Sequence, residues 1–282
     1  MRVPLRRNAF HSLPTAPRLG NCVVQCDAVE LVKSLPAESV DLVIFDPAYE
    51  SLEKWRKMGS TTRLKESKGS SNKWFETFPN VRYWELFEEL YRVLKKGTHL
   101  YMFCDEETRD LVTCGYSPQT QEYIPKSYSN SEALGDGGPL TQAGFKYWKS
   151  IIWDKMLAGM GYHYRARHEF IIMAEKVVAK GRHRRLNSAK HSDVLEVSAD
   201  PTVHIEADDV LQCRMLKGKS YYPTEKPYDL IKILVEQSSN KDDLVVDPFC
   251  GSGVVGQVCK DLKRRWILGD LDIQEAARRL SI

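Results

Sequence analysis

No apolar run in the sequence approaches the roughly 20 residues that a membrane-spanning helix needs. The first residues, with Arg6-Arg7-Asn8 followed by polar and proline-rich sequence, also lack the apolar stretch of a secretory signal. Hydrophobic residues make up 42% of the 282 residues and charged residues 28%, as in an ordinary globular protein. We therefore expect a cytoplasmic protein that has no membrane partner.

Paired cysteine spacing is absent as well. The seven cysteines are an odd number, and none of them belongs to a CxxC pair. The sequence therefore indicates neither a disulfide framework nor a structural zinc site, and we expect reduced cysteines and no metal.

The net charge is small, +3, which is too little to indicate a polyanionic partner by itself. The basic residues are nevertheless concentrated in two stretches, residues 54–73 and 182–190. A solvated surface would explain either stretch alone, so their meaning depends on the motifs beside them.

Helices and strands alternate along the chain. Apolar runs predict strands at residues 22–26 and 40–45, and apolar residues at helical spacing predict a helix over residues 28–35 between them. Another helix is predicted over residues 83–94, with Lys95-Lys96-Gly97 as its stop. Further strands are predicted at residues 100–103, 151–153, 170–173, 244–246 and 266–268, and further helices at residues 228–237 and 254–262. The pattern predicts an α/β fold with a doubly wound, mostly parallel sheet.

Three stretches interrupt this alternation. Residues 54–73 and 116–144 are long and polar, and loops of that length usually form mobile lids or insertions. Residues 179–222 fit the pattern poorly, and we expect them to form a small inserted module. Residues 1–178 and 223–282 are then two parts of one domain on either side of that module.

A glycine-rich turn follows the predicted strand at residues 244–246. Gly251-Ser252-Gly253-Val254-Val255-Gly256 matches GxGxxG, and Asp270 ends the next strand about 20 residues on, as in a dinucleotide site. Only one helix, one strand and a tail follow, however, whereas a dinucleotide fold builds most of its sheet after this turn. A cofactor with one adenosine explains the turn better. Asp270 would accept the ribose hydroxyls, the glycine backbone would admit the amino acid portion, and Phe249 would line the pocket.

A second motif, Asp46-Pro47-Ala48-Tyr49, closes the apolar run at residues 40–45. An acid, a proline and an aromatic residue at a strand end offer hydrogen-bond acceptors and a flat stacking face. This strand end is therefore suited to a planar base.

Together the motifs resemble those of the beta-class DNA amino-methyltransferases. Asp46 to Tyr49 resembles their DPPY motif, and residues 247–253 resemble their FxGxG cofactor motif. The acceptor motif precedes the cofactor motif, which resembles the beta-class permutation. Cys26-Asp27 resembles the Gly-Asp element of the family, residues 221–227 its HPTxKP element and residues 266–272 its FIGIExD strand.

The resemblance implies methyl transfer from S-adenosylmethionine, with S-adenosylhomocysteine as the product and no metal, to a base in double-stranded DNA. The implied catalytic residues are Asp46, Pro47, Ala48 and Tyr49. The implied cofactor-binding residues are Asp27, Thr224, Lys226, Asp247, Phe249, Cys250, Gly251, Ser252, Gly253 and Asp270. A homodimer and a cognate restriction enzyme as further partners stay open.

The residue types fit this chemistry. An exocyclic amine is a poor nucleophile because its lone pair is delocalised into the ring, and Asp46 with the Pro47 carbonyl can accept its two N–H groups and free that lone pair. A base in a duplex must be flipped out to reach such a pocket, and Tyr49 can stack on it.

The basic stretches then gain a role as DNA contacts. Residues 54–73 directly follow Tyr49 and can close over a flipped nucleotide, and residues 179–222 are assigned to target recognition by elimination. The predicted DNA-binding residues are Lys54, Arg56, Lys57, Arg63, Lys65, Arg182, Arg184, Arg185 and Lys190.

Alternatives remain at this point. Asp46 favours adenine N6, because the family's cytosine enzymes usually carry SPPY, but cytosine N4 stays open. Ala48 replaces the usual second proline and makes the turn less rigid, so a catalytically weak DNA-binding relative also stays open. A third function is methylation of another planar amine, in RNA or in a protein glutamine.

Overall fold

Eight of the described strands form one mixed sheet, and two more form a separate ribbon. The structure is a computed structural model that describes residues 20–51, 76–117, 122–123, 137–156, 166–177, 184–188, 192–196 and 225–282. Within these ranges, the helices are all too short or too polar to cross a membrane.

The strands are β1 (Cys22–Gln25), β2 (Val40–Phe45), β3 (Leu94–Cys104), β4 (Tyr116–Ser117), β5 (Glu122–Tyr123), β6 (Phe145–Asp154), β7 (His168–Lys176), β8 (Val194–Glu196), β9 (Leu244–Asp247) and β10 (Arg265–Asp270). The helices are α1 (Ala28–Ser34), α2 (Tyr83–Val93), α3 (Glu106–Cys114), α4 (Pro139–Gln142), α5 (Tyr228–Ser238), α6 (Val254–Asp261) and α7 (Gln274–Leu280), and a 3-10 turn at Asn80–Arg82 leads into α2.

The sheet is mostly parallel. Its order is β1-β10-β9-β2-β3-β7-β6-β8, and β7 runs antiparallel to both of its neighbours. The other neighbouring pairs are parallel. This arrangement confirms the predicted fold class. Because β2 and β9 are paired and parallel, the two motifs that follow them lie side by side at the carboxyl edge.

Both faces of the sheet are covered. In β2, which is buried along its whole length, Val43 and Phe45 pack in one core with α1 and α2. Leu42 and Ile44 pack in the other core with α5 and α6. A strand that is buried on both faces requires apolar residues on both sides, which explains the uninterrupted apolar run at this point of the sequence.

Asp41 is the acidic residue within that run, and it is 6% exposed. Its carboxylate accepts two hydrogen bonds from Lys95 Nζ, at 2.8 and 2.9 Å, and one from the Leu244 backbone N–H at 3.0 Å. The predicted end of the helix was correct to within one residue, since α2 ends at Val93, but Lys95-Lys96-Gly97 belong to β3, which begins at Leu94 and not at residue 100. Lys95 is held in the sheet by its contact with Asp41.

The stretches that interrupt the predicted alternation contain short elements. Residues 116–144 include the β4–β5 ribbon and α4. Residues 179–222 include β8, which pairs with β6 at the edge of the main sheet. A separate module at residues 179–222 stays a prediction, but part of that segment completes the main sheet.

Candidate active site

The two sequence motifs line one cleft of about 1070 Å³ at the carboxyl edge of the sheet. Asp46, Pro47, Ala48 and Tyr49 lie at one end, where β2 terminates, and Asp247 to Ser252 lie where the adjacent β9 terminates. The parallel pairing of β2 and β9 therefore brings together residues that are about two hundred positions apart in sequence.

We call the end of the cleft that is formed by residues 46–49 the acceptor end. There the Asp46 carboxylate receives hydrogen bonds from two sides. The Tyr49 hydroxyl donates to Oδ1 at 2.7 Å, and the Lys226 ammonium group donates to Oδ2. A carboxylate can accept about four hydrogen bonds, so Asp46 can accept further hydrogen bonds from other donors.

The loop that carries these residues is held by its backbone. The Phe78 N–H donates to the Ala48 carbonyl at 2.7 Å, next to a β-bridge between Tyr49 and Phe78. The Ser51 hydroxyl donates to Asp105, the residue that caps α3. These contacts fix the turn at Ala48 without a second proline ring.

Lys226 is shared between two carboxylates. Its Nζ also lies 3.4 Å from Glu169 Oε2, and Glu169 Oε1 lies 3.2 Å from Lys155 Nζ. Asp46, Lys226, Glu169 and Lys155 thus form a row of alternating charge, which we call the acceptor charge row.

Burial and this charge row set the ionisation of the acceptor end. Burial raises the pKa of Asp46, and Lys226 acts in the opposite direction. Burial would lower the pKa of Lys226, but Asp46 and Glu169 together raise it above its usual value. Burial and the neighbouring Asp46 raise the pKa of Tyr49, so its hydroxyl stays protonated and donates.

We call the end of the cleft that is formed by residues 247–252 the cofactor end. There the glycine turn is hydrogen-bonded to the end of β10. The Gly251 N–H donates to Asp270 Oδ2 at 2.8 Å, and the Asp272 N–H lies 3.2 Å from Oδ1. The Cys250 N–H donates to the Gly269 carbonyl at 2.9 Å. Burial raises the pKa of Asp270, and the bond from Gly251 partly offsets this. Asp270 is therefore oriented within the cleft by the turn itself.

The two glycines of the turn have left-handed backbones, with φ values of 46° at Gly251 and 77° at Gly253. A Cβ at Gly253 would lie 2.9 Å from both Cα and Cβ of Ala276. The packing of α7 therefore requires glycine at position 253. The sequence interpretation assigned Gly253 to cofactor approach alone.

Asp27, after β1, caps α1 by accepting from the Val29 and Glu30 N–H groups. Arg82 donates to both of its oxygens, at 2.6 and 2.8 Å, and lowers the pKa of Asp27. Arg82 lines the cleft, but no sequence motif pointed to it, because it lies in the turn before α2 far from the glycine-rich segment.

Three aromatic rings pack against one another beside the cleft. Phe249 stacks on Phe45, with ring centroids 5.7 Å apart, and meets Phe78 edge to face at 5.1 Å. Ser252 and Cys250 beside it are 4% exposed. The Phe249 ring therefore lines the cleft and is fixed by two partners, while its contact with a cofactor stays a prediction.

The charge of the cleft favours a cationic ligand. Eight acidic side chains and three basic ones line it. One of the acids, Asp247, is 4% exposed, and burial raises its pKa well above the usual range. Among the described residues, no group of three or more His, Cys, Asp or Glu side chains is arranged to hold a metal ion. A cofactor that carries both an adenosine and a positive charge fits this donor set.

A family model described as DNA methylase, which covers N6 and N4 methylases, matches residues 40–281. The chain belongs to this family. The match includes both motifs and every strand from β2 to β10.

Curated relatives are similar over nearly the whole chain. The type II methyltransferase M.HpaI of Haemophilus parainfluenzae is 29% identical over 272 residues, which cover 90% of this chain and 72% of the relative. The DNA adenine methyltransferase YhdJ of Escherichia coli is 27% identical over 278 residues, which cover 94% and 85%.

Solved structures share the fold. The M1.HpyAVI–SAM complex aligns with a TM-score of 0.52 at 20% identity and covers 91% of this chain and 98% of its own. The cytosine-N4-specific PvuII DNA methyltransferase aligns with a TM-score of 0.52 at 14% identity and covers 92% and 84%.

The predicted DNA contacts are mostly not placed. Outside the described residues lie Lys54, Arg56, Lys57, Arg63, Lys65, Arg182, Lys190 and the predicted cofactor residue Thr224. Arg184 is placed, and its side chain lies 2.5 Å from Asp243 while its N–H donates to the Gly97 carbonyl. Both partners are at the amino edge of the sheet, so the structure does not bring Arg184 to the cleft. Arg185 beside it is exposed.

Sequence reasoning missed Glu169 and Lys155 as cleft residues. Glu169 lies near the start of β7, whose antiparallel direction places its first residues at the same edge as the ends of the parallel strands. The available signal was the acid in His168-Glu169-Phe170, which stands before an apolar run. Only the strand direction shows that this acid faces Asp46.

Proposed function

We propose that this DNA methylase transfers a methyl group from S-adenosylmethionine to the exocyclic N6 of a flipped-out adenine in double-stranded DNA. The observation that carries the proposal is the single cleft shared by Asp46 at the end of β2 and by the glycine turn at the end of β9. A methyl donor in the turn would face an amine held at Asp46 across this cleft.

The residues of the cofactor end suit this donor. Asp270 is oriented by the Gly251 N–H, and its remaining acceptor positions can bind ribose hydroxyls. The carboxylates Asp270 and Asp272 line this end, and their negative charge would attract a sulfonium and an ammonium group. When bound, the donor supplies an activated methyl group.

At the acceptor end, Asp46 and the Pro47 carbonyl would accept the two N–H groups of the amine. The amine lone pair forms the new N–C bond as the methyl–sulfur bond breaks, and the sulfur retains that electron pair. The proton on nitrogen then passes to Asp46 or water. Positioning and electrostatic complementarity carry most of the rate enhancement, since no covalent enzyme intermediate is needed.

Adenine is preferred to cytosine for two reasons. Position 46 is Asp, whereas cytosine enzymes of the resembling family usually have Ser, and YhdJ, a relative over 94% of this chain, is described as an adenine methyltransferase. Cytosine N4 is the alternative that a measurement of the modified base would reveal.

DNA recognition is proposed for residues 54–73 and 179–222, whose basic residues would bind phosphates or base edges. Arg184 is the exception, because it is paired with Asp243 at the opposite edge. A homodimer and a cognate restriction enzyme remain proposals that rest on the family resemblance.

The test is expression in a host that lacks DNA methylation, followed by base-resolved detection of modified DNA. We expect N6-methyladenine within one short sequence. Asp46→Ala should lower methyl transfer by about 100-fold or more, the usual loss when a preorganised polar group at the reacting atom is removed. Glu236→Ala is the matched control, since Glu236 forms an exposed ion pair with Lys232 on α5 and should leave methylation unchanged.

Methylated cytosine would keep the reaction class and change the base. Methyl groups on RNA or protein but on no DNA would contradict the proposal. DNA methylation that is undiminished in Asp46→Ala would contradict the role of that carboxylate.

A further inference from the structure

Lys226 lies in a different part of the cleft from the one its sequence motif suggested. The HPTxKP resemblance assigned it to the cofactor. Its ammonium group instead contacts the Asp46 carboxylate and lies 3.4 Å from Glu169. The residue precedes α5 and is 9% exposed, so this contact is made inside the protein.

The surroundings of Lys226 favour a fixed ammonium group. Its Nζ lies 5.3 Å from the centre of the Phe103 ring and 6.0 Å from that of the Trp153 ring. Aromatic faces attract cations and exclude water. A buried ammonium group is stable only with good partners, and here two carboxylates supply them.

Asp46 is held from both sides as a result. Tyr49 donates to Oδ1 and Lys226 to Oδ2, so rotation of the carboxylate about its Cβ–Cγ bond would break two hydrogen bonds. Glu169 in turn keeps Lys226 in place, since Lys155 anchors Glu169 at 3.2 Å.

We propose that Lys226 is a positioning residue for methyl transfer, with its ammonium group fixing the Asp46 carboxylate in the orientation that accepts the amine and Glu169 fixing Lys226. The proposal rests on the proposed function, because it concerns the same acceptor site.

The charge of Asp46 gives the contact its chemical importance. A carboxylate accepts hydrogen bonds from an amine, whereas a protonated carboxyl group would use its own O–H as a donor. Burial raises the pKa of Asp46 and Lys226 opposes that rise. The other titratable groups that act on Asp46 or are acted on by it are Tyr49, Tyr83 of α2, Cys104 of β3, Glu169 of β7 and Asp247 of β9. None of these other groups is a cation, so Lys226 supplies the positive charge that opposes the rise in the pKa of Asp46.

The kinetic test compares wild type with Lys226→Met on duplex DNA across a range of pH. We expect kcat to fall by about 100-fold near neutral pH, as for loss of a preorganised electrostatic partner. The acid limb of the kcat profile should move up by about one pH unit or more, because the buried carboxylate loses its cation. Affinity for S-adenosylmethionine, measured by calorimetry, should stay within about threefold of the wild-type value. A residue that only orients Asp46 does not contribute to binding of the cofactor.

Lys232→Met is the matched control. This lysine lies on α5, is 42% exposed and is 3.8 Å from Glu236, so its removal should change neither kcat nor the pH profile. Glu169→Gln tests the second half of the proposal and should lower kcat by about tenfold, because Lys226 loses one of its two anchors. Lys226→Gln replaces Lys226→Met if the methionine variant does not fold.

A weakening of S-adenosylmethionine binding by about tenfold with unchanged kcat would overturn the proposal and return Lys226 to the cofactor. A loss confined to KM for DNA would assign it to base binding and overturn the proposal as well. An independent readout is the carbon-13 titration of the Asp46 carboxyl group, assigned with Asp46→Asn. Its midpoint should rise in Lys226→Met, and an unchanged midpoint would overturn the proposal. The titration needs no methyl transfer, so it can be read even if wild type methylates no DNA. An absence of DNA methylation in wild type would contradict the proposed function instead.

Discussion

His99 in β3 is a buried histidine whose ring contacts a hydroxyl group at the end of α5. Its Nδ1 lies 2.8 Å from the Ser238 hydroxyl at the end of α5, and the Tyr101 hydroxyl lies 2.7 Å from the same oxygen. Burial lowers the pKa of His99 to about 4 from 6.5, although Glu175 acts in the opposite direction. The folded protein therefore holds this ring neutral.

The sign of the resulting pH dependence follows from proton binding. Between about pH 6.5 and pH 4 the unfolded chain binds a proton at His99 that the folded protein does not, so the free energy of unfolding falls as the pH falls. The full shift corresponds to about 3 kcal/mol. Urea unfolding at several pH values should show this loss in wild type and a smaller loss in His99→Gln. Equal pH dependence in the two proteins would contradict the assignment.

At the scale of elements, the glycine turn and α7 are packed in direct contact. Gly253 has a φ of 77°, and its Cα hydrogen faces Ala276 of α7, where a Cβ would come within 2.9 Å. A substitution there meets both backbone strain and overpacking. The turn and the helix therefore constrain each other.

Gly253→Ala should lower the free energy of unfolding by about 2 to 4 kcal/mol, from the left-handed backbone and the steric overlap together. Gly20→Ala is the matched control, because a Cβ there lies in ordinary contact, 3.6 Å from the Arg265 side chain. Urea denaturation measures both. A Gly253→Ala protein as stable as the control would show that α7 can move aside.

The sequence predicts elements well where local pattern and burial agree. The strand at residues 40–45 has the predicted bounds, since each of its residues is buried. The pattern misplaced the start of β3, because Lys95 belongs to that strand and forms an ion pair with Asp41 of the neighbouring strand. It also missed β8, because a three-residue edge strand has too few side chains to show a period.

At the scale of the whole molecule, the order of the motifs predicted that their strand ends meet, and β2 and β9 are adjacent. The side-chain directions within the cleft were not predictable. A lysine chain of four methylene groups can reach either end, and only the structure shows that Lys226 contacts Asp46, beside the rings of Phe103 and Trp153. Glu169 depends on the antiparallel direction of β7.

Binding of S-adenosylmethionine should depend on the cofactor end of the cleft and not on the acceptor end. S-adenosylmethionine at about 100 times its Kd should raise the free energy of unfolding by about 2.7 kcal/mol, since it binds the folded state only. Asp270→Ala should lose most of this stabilisation, because the ribose loses its acceptor, whereas Asp46→Ala should keep it. Thermal unfolding with and without the cofactor measures both. Loss of this stabilisation in both variants would mean that cofactor binding also depends on Asp46, at the acceptor end.

The pairing of β1 with β10 has a consequence for synthesis on the ribosome. β1 is at the edge of the described sheet and bonds to β10, so Cys22 can pair with Ile267 only after the chain has been made as far as β10. Pairings between residues so far apart in sequence form late and slowly. A nascent chain that has passed Asp46 still lacks the strands on one side of it. Catalysis can therefore begin only after translation has gone beyond Asp270. Nascent chains that end before this residue should all be inactive, and activity should not increase gradually with their length.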